Sequence, residues 1–340
     1  MRALAPRILP RAAVLAAVPL LVVFLPKAFN DYFNYRLAFV GIYFIAIVGL
    51  NVLTGYSGQI SLGHGAFMAF GAYTTAILNT NYGVGEYWTI PIAGVLTGIF
   101  GLLFGLPALR LSGVYLALAT FGLATSIPLV AKRFEGFTGG GQGKTISLPS
   151  SPIGGLTTNQ WVSYLTWAVG GVMFVAAWLL LHGRLGRAFR AVRDAPIAAV
   201  SSGVGLAWHK TLAFGIAAAY AGVAGSLLVI AIAFVNPDTF PVSLSILLLT
   251  GAVLGGLGSL EGMLFGAVFI QFAPNLADKL SNLLHYNEAT IQPTVFYGLI
   301  LLVVLFVMPG GAAQLVRQAR AVLNRTRRWL YSRADSRASA

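Results

Sequence analysis

The stretch at residues 50–78, LNVLTGYSGQISLGHGAFMAFGAYTTAIL, is apolar enough for a lipid bilayer, yet glycines and polar side chains interrupt it. In hydrocarbon every backbone polar group needs a partner, so such an interruption is tolerated only where protein or enclosed water surrounds it. We therefore predict that the interrupted part lines a solute path. The candidate path residues are Ser57, Gly58, Gln59, Ser61, Gly63, His64 and Gly65.

Two interpretations are open for the polar side chains of this stretch. Gln59 and His64 are unfavourable in lipid, and each is satisfied either by an interhelical hydrogen bond or by contact with a solute. Small residues at steps of four predict a helix face that allows close packing of backbones. That face would hold Ser57, Ser61, Gly65 and Ala69, and we expect Gly94, Gly98, Gly101 and Gly105 to do the same in the next span.

The composition excludes a soluble protein. Of the 340 residues, 57% are hydrophobic and 9% are charged, whereas roughly 25% are charged in a soluble domain. Apolar stretches of about 20 residues, enough to cross a bilayer, recur throughout, which predicts an all-α polytopic membrane protein with a single transmembrane domain over residues 1–340. The stretches lie at 12–29, 35–53, 60–79, 88–109, 111–131, 161–181, 211–235, 242–273 and 291–309.

The net charge of +13 comes mostly from Lys and Arg in short loops and tails. The positive-inside rule accounts for this asymmetry without any nucleic acid. It places residues 1–11, 182–210 and 310–340 in the cytoplasm and the loop 132–160 outside, so both termini are predicted to be cytoplasmic. A signal peptide is the alternative for the first apolar run, but no small-residue cleavage site follows, and we interpret the run as a retained span.

Two cytoplasmic termini require an even number of crossings, whereas nine apolar stretches are present. As one helix, 242–273 would be about 48 Å long, well beyond the ~30 Å hydrocarbon core. A break near residues 255–258 gives about ten crossings, including broken or half-helices. The alternative is one tilted helix with a row of glycines along one face. Glu261 would then lie inside the membrane, whereas a break places it in solvent.

Residues 182–210, called the arginine loop below, are predicted to form two short helices. Apolar residues spaced i, i+3, i+4 and i+7 indicate an amphipathic helix with arginines around its remaining surface. Its apolar face would consist of Leu185, Ala188, Phe189 and Val192. Pro196 suits the first turn of a second helix and Gly203 suits its end. The loop either docks a cytoplasmic partner or binds anionic lipid headgroups, at about 1 kcal/mol per arginine.

Residues 138–145, TGGGQGKT, resemble a phosphate-binding loop but lack its first glycine, its preceding strand and its following helix. We predict a structured external loop there and no nucleotide site. The four histidines, at 64, 182, 209 and 285, are well separated in sequence. No triad, carboxylate pair or metal-ligand spacing accompanies them, so we predict a transport element with no catalytic, cofactor or metal site.

Four motifs resemble the LivM-type permeases of branched-chain amino-acid ABC transporters. They are GYSGQISLGHGAFMAFGAY at 55–73, TGG at 138–140, GRAFRAVRD at 186–194 with IAA at 197–199 and glycine at 203, and GGLGSLEG at 255–262. The resemblance implies a bacterial inner-membrane permease that forms the solute path and binds no cofactor, because ATP is hydrolysed on separate subunits. The implied partners are a second homologous permease, two cytoplasmic ATPases, an external solute-binding protein and membrane lipid.

The resemblance also implies that the arginine loop fits a cleft on the ATPase. The candidate residues are Arg187, Arg190, Arg193, Asp194, Pro196, Ala198, Ala199 and Gly203. Branched-chain amino acids are the expected solutes, although related permeases carry urea, short amides or aromatic acids, and a homodimer is the alternative to pairing with a second permease. An ion-coupled secondary transporter is a further alternative. It normally needs a carboxylate within the membrane, for which Glu261 is the candidate.

Overall fold

A computed structural model of the protein describes residues 30–109, 111, 113–147, 155–283, 298, 302, 303, 306 and 311–314. The helices are α1 (Asp31–Asn51), α2 (His64–Tyr82), α3 (Glu86–Ala108), α4 (Val114–Arg133), α5 (Glu135–Thr138), α6 (Thr158–His182), α7 (Arg184–Asp194), α8 (Pro196–Ser201), α9 (Leu206–Ile232), α10 (Val242–Gly255) and α11 (Met263–Leu283). A π-helical turn, Val52–Tyr56, continues α1, and 3-10 turns form at Gly140–Gln142 and Pro237–Thr239. Strands β1 (Lys144–Thr145) and β2 (Phe234–Val235) pair antiparallel.

Six helical segments of the described part are long and apolar enough to cross a membrane. They are Asp31–Tyr56, Glu86–Pro107, Val114–Arg133, Thr158–His182, Leu206–Ile232 and Pro237–Gly255, and Met263–Leu276 is a shorter apolar helix. The chain is therefore a multi-pass, all-α membrane protein. About ten crossings and two cytoplasmic termini stay predictions, because 1–29, most of 291–309 and the tail after 314 lie outside the described residues.

Helices α1 and α9 form the centre of the bundle. Helix α9 packs against α1, α2 and α3, and α1 also packs against α6. In their most apolar windows, 83% of the residues of α1 with its π turn and of α9 are buried, but only 22% of those of α4 and α6. Continuously apolar helices such as α1 and α9 have no polar face to turn toward water, so they suit the interior of the bundle.

A glycine seam joins α3 to α9. A Cβ added at Gly101 would lie 2.3 Å from the Cβ of Ala218, and one added at Gly222 would lie 2.4 Å from the Oγ1 of Thr97. No side chain larger than hydrogen fits at either position. The predicted packing face on α3 is therefore confirmed, and it consists of Gly94, Gly98, Gly101 and Gly105.

The apolar stretch at 242–273 is broken, as predicted, and its two helices fold back on each other. Helix α10 ends at Gly255, Gly256 has a φ of 96°, and α11 begins at Met263. The glycines of this stretch do not line one face of a single helix. They face each other across the hairpin, since a Cβ at Gly266 would lie 2.0 Å from the carbonyl oxygen of Gly251. Glu261 lies exposed in the connecting turn.

The predicted helical face through Ser57 and Ser61 is wrong. Helix α2 begins at His64, and residues 57–63 form a non-helical connection. The physical reason is local: Gly58 adopts a left-handed φ of 72°, a conformation that glycine tolerates and that ends a helix. Ser57 and Ser61 are thus placed by a turn rather than by helical periodicity.

Two polar regions of the molecule lie at the two ends of α9. The arginine loop leads into its first residue, and β2 follows its last. At 1.5 Å per residue, a helix of 27 residues is about 40 Å long. The arginine loop and the β1–β2 pair therefore lie at opposite ends of the bundle.

Candidate functional site

The break after α1 begins as a widened helical turn. The amide of Ser57 donates to the carbonyl of Val52 at 3.1 Å, and the amide of Gln59 donates to the carbonyl of Leu53 at 3.1 Å. The hydroxyl of Thr54 donates to the carbonyl of Gln59 at 3.1 Å. Turns of the π type leave some carbonyls without a helical partner and often occur at functional sites.

Ser57 and Gln59 lie at the end of the bundle that carries the arginine loop. Both side chains are buried, and the Nε2 of Gln59 donates to the Oγ of Ser57 at 2.8 Å and to the carbonyl of Lys210 at 3.2 Å. Lys210 belongs to the first turns of α9. For Gln59 the structure therefore shows the interhelical hydrogen bond, which was one of the two interpretations open from the sequence.

Of the other candidate path residues, Ser61, Gly63, His64 and Gly65 are buried and Gly58 is exposed. The amide of Leu62 donates to the Oγ1 of Thr120 on α4 at 2.9 Å, and the amide of Gly65 donates to the Oγ of Ser245 on α10 at 2.9 Å. The Oγ of Ser61 accepts from the amide of the neighbouring Gly63 at 3.3 Å. The connection is thus fixed by side-chain hydroxyls from two other helices.

His64 is the most enclosed polar residue of this group. Its side chain is completely buried and lies close to the backbone of Ala46 on α1. Neither ring nitrogen reaches hydrogen-bond geometry with another group of the described structure. Buried polar groups normally have a partner, so His64 remains a candidate for contact with water or a solute.

The two glycine motifs of the sequence, at 55–58 and 255–258, meet in space. The Oδ1 of Asn51 accepts from the amide of Gly258 at 2.8 Å, and its Nδ2 donates to the carbonyl of Ser259 at 3.0 Å. A Cβ added at Gly55 would lie 2.4 Å from the nitrogen of Gly258. We call this contact, formed by Asn51, Gly55, Gly58, Gly258 and the side chain of Arg193, the glycine node.

The arginine loop reaches the glycine node through its first helix. As predicted, α7 is amphipathic: Phe189 and Val192 are buried, whereas its arginines are exposed. The Nη1 of Arg193 donates to the carbonyl of Gly55, and its Nε donates to the Oδ1 of Asp194 at 2.7 Å. A cation is favourable at the last carbonyls of a helix, so Arg193 caps the π turn.

The second helix of the arginine loop points outward. Pro196 is the first residue of α8, as predicted, and Gly203 follows its end with a φ of 81°. Ala199 is buried, but 86% of Ile197 and 53% of Val200 are exposed. Arg187, Arg190 and Ala198 are also exposed. An apolar pair on a short helix beyond the membrane spans indicates a surface for a partner.

The glycine-rich loop at the opposite end of the bundle folds against β2. Gly143 has a φ of 76°, and a Cβ there would lie 2.2 Å from the carbonyl oxygen of Val235. The Nζ of Lys144 donates to the Oδ1 of Asn81 at 2.6 Å, and Lys132 pairs with Asp238 at 3.0 Å. A strand rather than a helix follows the glycines, so the geometry differs from that of a phosphate-binding loop.

An open cleft of about 500 Å³ lies along α10. It is lined by hydroxyl and aliphatic side chains, namely Thr239, Ser243, Leu244, Leu247 and Thr250. These residues were not predicted from the sequence, because each also fits an ordinary apolar helix. The available signal was the spacing of Ser243, Leu247 and Thr250, at i, i+4 and i+7 of α10.

Comparison with known proteins identifies the family. The permease protein LivM of the high-affinity branched-chain amino acid transport system of Escherichia coli (strain K12) is 35% identical over 260 residues, which are 69% of this chain and 61% of LivM. LivH of the same system is 26% identical over 79% of this chain and 90% of LivH. The autoinducer 2 import system permease protein LsrC of Klebsiella pneumoniae is 33% identical over 52% of this chain and 51% of LsrC.

Among solved structures, PsaBC from Streptococcus pneumoniae in complex with Fab has a TM-score of 0.44 and 12% identity, over 84% of this chain and 95% of that chain.

The family model described as branched-chain amino acid transport system / permease component matches residues 32–308. The match covers the glycine node, the arginine loop and all six candidate spans, and the chain belongs to this family of permease components.

Proposed function

We propose that this chain is a permease subunit of an ABC importer that carries branched-chain amino acids across a bacterial inner membrane. Its family, and its similarity to both LivM and LivH, support this function. The solute path would be formed by this chain together with a second, homologous permease. ATP would bind and be hydrolysed on two separate cytoplasmic subunits, an external binding protein would deliver the solute, and this chain would bind no cofactor.

The orientation follows from the same proposal. The arginine loop would be cytoplasmic and the glycine-rich loop with β1 and β2 external, because the two lie at opposite ends of α9. The clustered arginines support this orientation through the positive-inside rule. With both termini also inside, the chain would cross the membrane an even number of times.

The observation that carries the proposal is the position of α7 and α8. Helix α7 is attached to the bundle by buried Phe189 and Val192 and by the bond from Arg193 to Gly55. Helix α8 presents Ile197 to its surroundings. A rigid attachment on one side and an exposed apolar contact on the other suit an element that transmits movement from an ATPase subunit. We therefore assign the arginine loop to ATPase coupling.

The test compares Ile197→Glu with Gln142→Glu, which adds the same charge at an exposed position of the opposite end. Each variant would be co-expressed with the second permease, the ATPases and the binding protein, and ATPase co-purification and ATP-driven leucine uptake into proteoliposomes would be measured. Losing one buried isoleucine contact, about 2 kcal/mol, should weaken ATPase association by about 30-fold. The Gln142→Glu variant should retain the ATPase.

Two outcomes would contradict the proposal. If Ile197→Glu still co-purified with the ATPase and supported uptake, the assignment of α8 to ATPase docking would be wrong. If the wild-type complex hydrolysed ATP but did not take up leucine, the solute class would be wrong. The same assay with urea, short amides and aromatic acids would then identify the solute.

A further inference from the structure

Asn51 occupies an unusual position in the bundle. It is the last residue of α1 and is completely buried. Both ends of its amide are used, since Nδ2 donates to the carbonyl of Ser259 and Oδ1 accepts from the amide of Gly258. One donor and one acceptor on the partner fix the orientation of the amide. Asn51 therefore joins two segments that are about 200 residues apart in the chain.

The glycines around Asn51 allow this contact. A Cβ added at Gly55 would lie 2.0 Å from the Oδ1 of Asn51. Gly258 has a φ of 78°, a left-handed conformation that other residues rarely adopt. The Asn51 side chain thus holds the turn between α10 and α11 against the π turn.

Arg193 is the third part of the contact. Its Nη1 donates to the carbonyl of Gly55 and lies 3.2 Å from the position of a Cβ at Gly258. The hydrogen bond from Arg193 reaches the π turn, whereas Asn51 at the end of α1 makes two hydrogen bonds to the α10–α11 turn. A movement of α7 would reach α10 and α11 through Asn51.

We propose that Asn51 is a positioning residue that makes the π turn and the α10–α11 turn move together when the arginine loop moves. This inference rests on the proposed function, because it deepens the role of the arginine loop in ATPase coupling. The broken connection before α2 and the α10–α11 hairpin would respond to one displacement of Arg193. The connection contains candidate path residues such as Ser61, and α10 of the hairpin lines the open cleft.

The alternative is that Asn51 only satisfies buried backbone groups. Thr75→Val is the matched control for this role, because the Oγ1 of Thr75 donates to the Oγ of Ser226 at 2.6 Å between α2 and α9, and both residues are completely buried. Asn51→Leu and Thr75→Val each remove a buried hydrogen-bonding side chain. A purely structural role predicts similar losses of stability and no specific loss of coupling.

The experiment uses the complete transporter in proteoliposomes and measures leucine taken up per ATP hydrolysed. Asn51→Leu should lower this ratio by about fivefold or more, the usual lower range of coupling between sites, while Thr75→Val should stay within about twofold of the wild type. Asn51→Asp serves as the second variant if Asn51→Leu does not assemble. It keeps an acceptor for Gly258 but loses the donor to Ser259, so its ratio should be intermediate.

A distance measurement tests the inference independently of the solute. The chain has no cysteine, so spin labels can be placed at Leu257→Cys in the α10–α11 turn or at Arg184→Cys in α7, each paired with Gln142→Cys at the opposite end. ATP binding should shift both distances in the wild type. With Asn51→Leu, the shift at 184 should persist and the shift at 257 should disappear.

The outcomes separate the two proposals. A shift at 257 that survives Asn51→Leu, or an unchanged ratio of leucine to ATP, would overturn the role of Asn51 and leave the proposed function intact. A wild-type complex without ATP-driven uptake of leucine would overturn the proposed solute, while the label distances would still decide whether Asn51 joins the two turns.

Discussion

The glycine seam between α3 and α9 and the glycine node both depend on glycine, but they hold different kinds of contact. In the seam, a Cβ at Gly101 would meet the Cβ of Ala218 at 2.3 Å and the carbonyl oxygen of Phe214 at 3.0 Å, on a helix with no freedom to yield. In the node, Gly55 also meets backbone, at the nitrogen of Gly258, but Gly58 has a left-handed φ and a Cβ there would meet the flexible side chain of Arg193.

From this difference we predict which part of the bundle resists displacement and which part can move. Close contacts between helix backbones lock the distance and register of two spans, since packed interiors do not deform continuously. Hydrogen bonds from a long side chain to a turn can be broken and reformed with little displacement of the helices. We therefore expect changes in the seam to affect stability, and changes in the node to affect coupling.

The largest effect is expected in the seam, for Gly101→Ala. Alanine favours a helix over glycine by about 1 kcal/mol, but the contact with Ala218 leaves no room for its methyl group. Overpacking of this kind costs about 1–3 kcal/mol. The thermal midpoint of the detergent-purified protein should fall by about 3 °C or the bundle should fail to assemble.

Gly171→Ala is the control for this prediction. Gly171 also lies within a helix, α6, but a Cβ there meets nothing within 4 Å. Its thermal midpoint should stay the same or rise, because only the helix preference acts. Equal midpoints for the two variants would show that the seam is not closely packed.

An intermediate effect, on transport rather than on folding, is expected for Gly58→Ala. Alanine at a left-handed φ costs about 1–2 kcal/mol, and its Cβ would lie 2.7 Å from the Cγ of Arg193. Arg193 would then be displaced from the carbonyl of Gly55. ATP-driven leucine uptake should fall by about fivefold in complexes that still assemble.

The Gly83→Ala variant distinguishes the effect of backbone strain from the effect of displacing Arg193. Gly83 has a φ of 63°, and a Cβ there meets nothing within 4 Å, so this variant carries the backbone strain alone. Both variants should lose similar thermal stability, and Gly83→Ala should retain uptake. If the two variants lost uptake equally, strain rather than the position of Arg193 would explain the effect of Gly58→Ala.

The seam and the node also differ in how far they could be predicted. The seam is visible in the sequence because its glycines recur at helical spacing within one span. The break near 256 was likewise expected, since glycines interrupt an apolar stretch too long for one crossing. The non-helical connection at 57–63 was not, because Ser57 and Ser61 were predicted to lie on a helical face. The two helices of the arginine loop followed from apolar periodicity and from Pro196.

The contacts of the node could not be predicted in the same way. Asn51 lies within an apolar run and resembles an ordinary buried residue until the fold brings Gly258 beside it. For Gln59 the sequence left solute contact and an interhelical hydrogen bond both open, and the choice depends on the left-handed Gly58, after which the Gln59 side chain reaches the carbonyl of Lys210 in the first turns of α9. Such contacts between distant segments depend on tertiary packing, which local pattern does not encode.

The smallest effect is expected from Asp194, at the exposed edge of the node. Its hydrogen bond from Arg193 holds the pKa of the Asp194 carboxyl below its usual value, and the nearby positive charges of Arg193 and Arg190 act in the same direction. The folded protein therefore favours the ionised carboxylate. The stabilisation is complete above the unfolded pKa, about 3.9, and is lost as the pH falls through the lower folded value.

Asp194→Asn removes this stabilisation at neutral pH. Because 61% of the Asp194 side chain is exposed, solvent screens the pair, and the thermal midpoint at pH 7 should fall by about 2 °C or less. As the pH falls below the unfolded pKa, the difference between the variant and the wild type should shrink, because the carboxyl of the unfolded wild type is then protonated and the stabilisation is progressively lost. A difference that did not depend on pH would assign the effect of the substitution to something other than the charge of Asp194. Arg193 keeps its bond to Gly55 in either case, so leucine uptake at neutral pH should change far less than with Gly58→Ala.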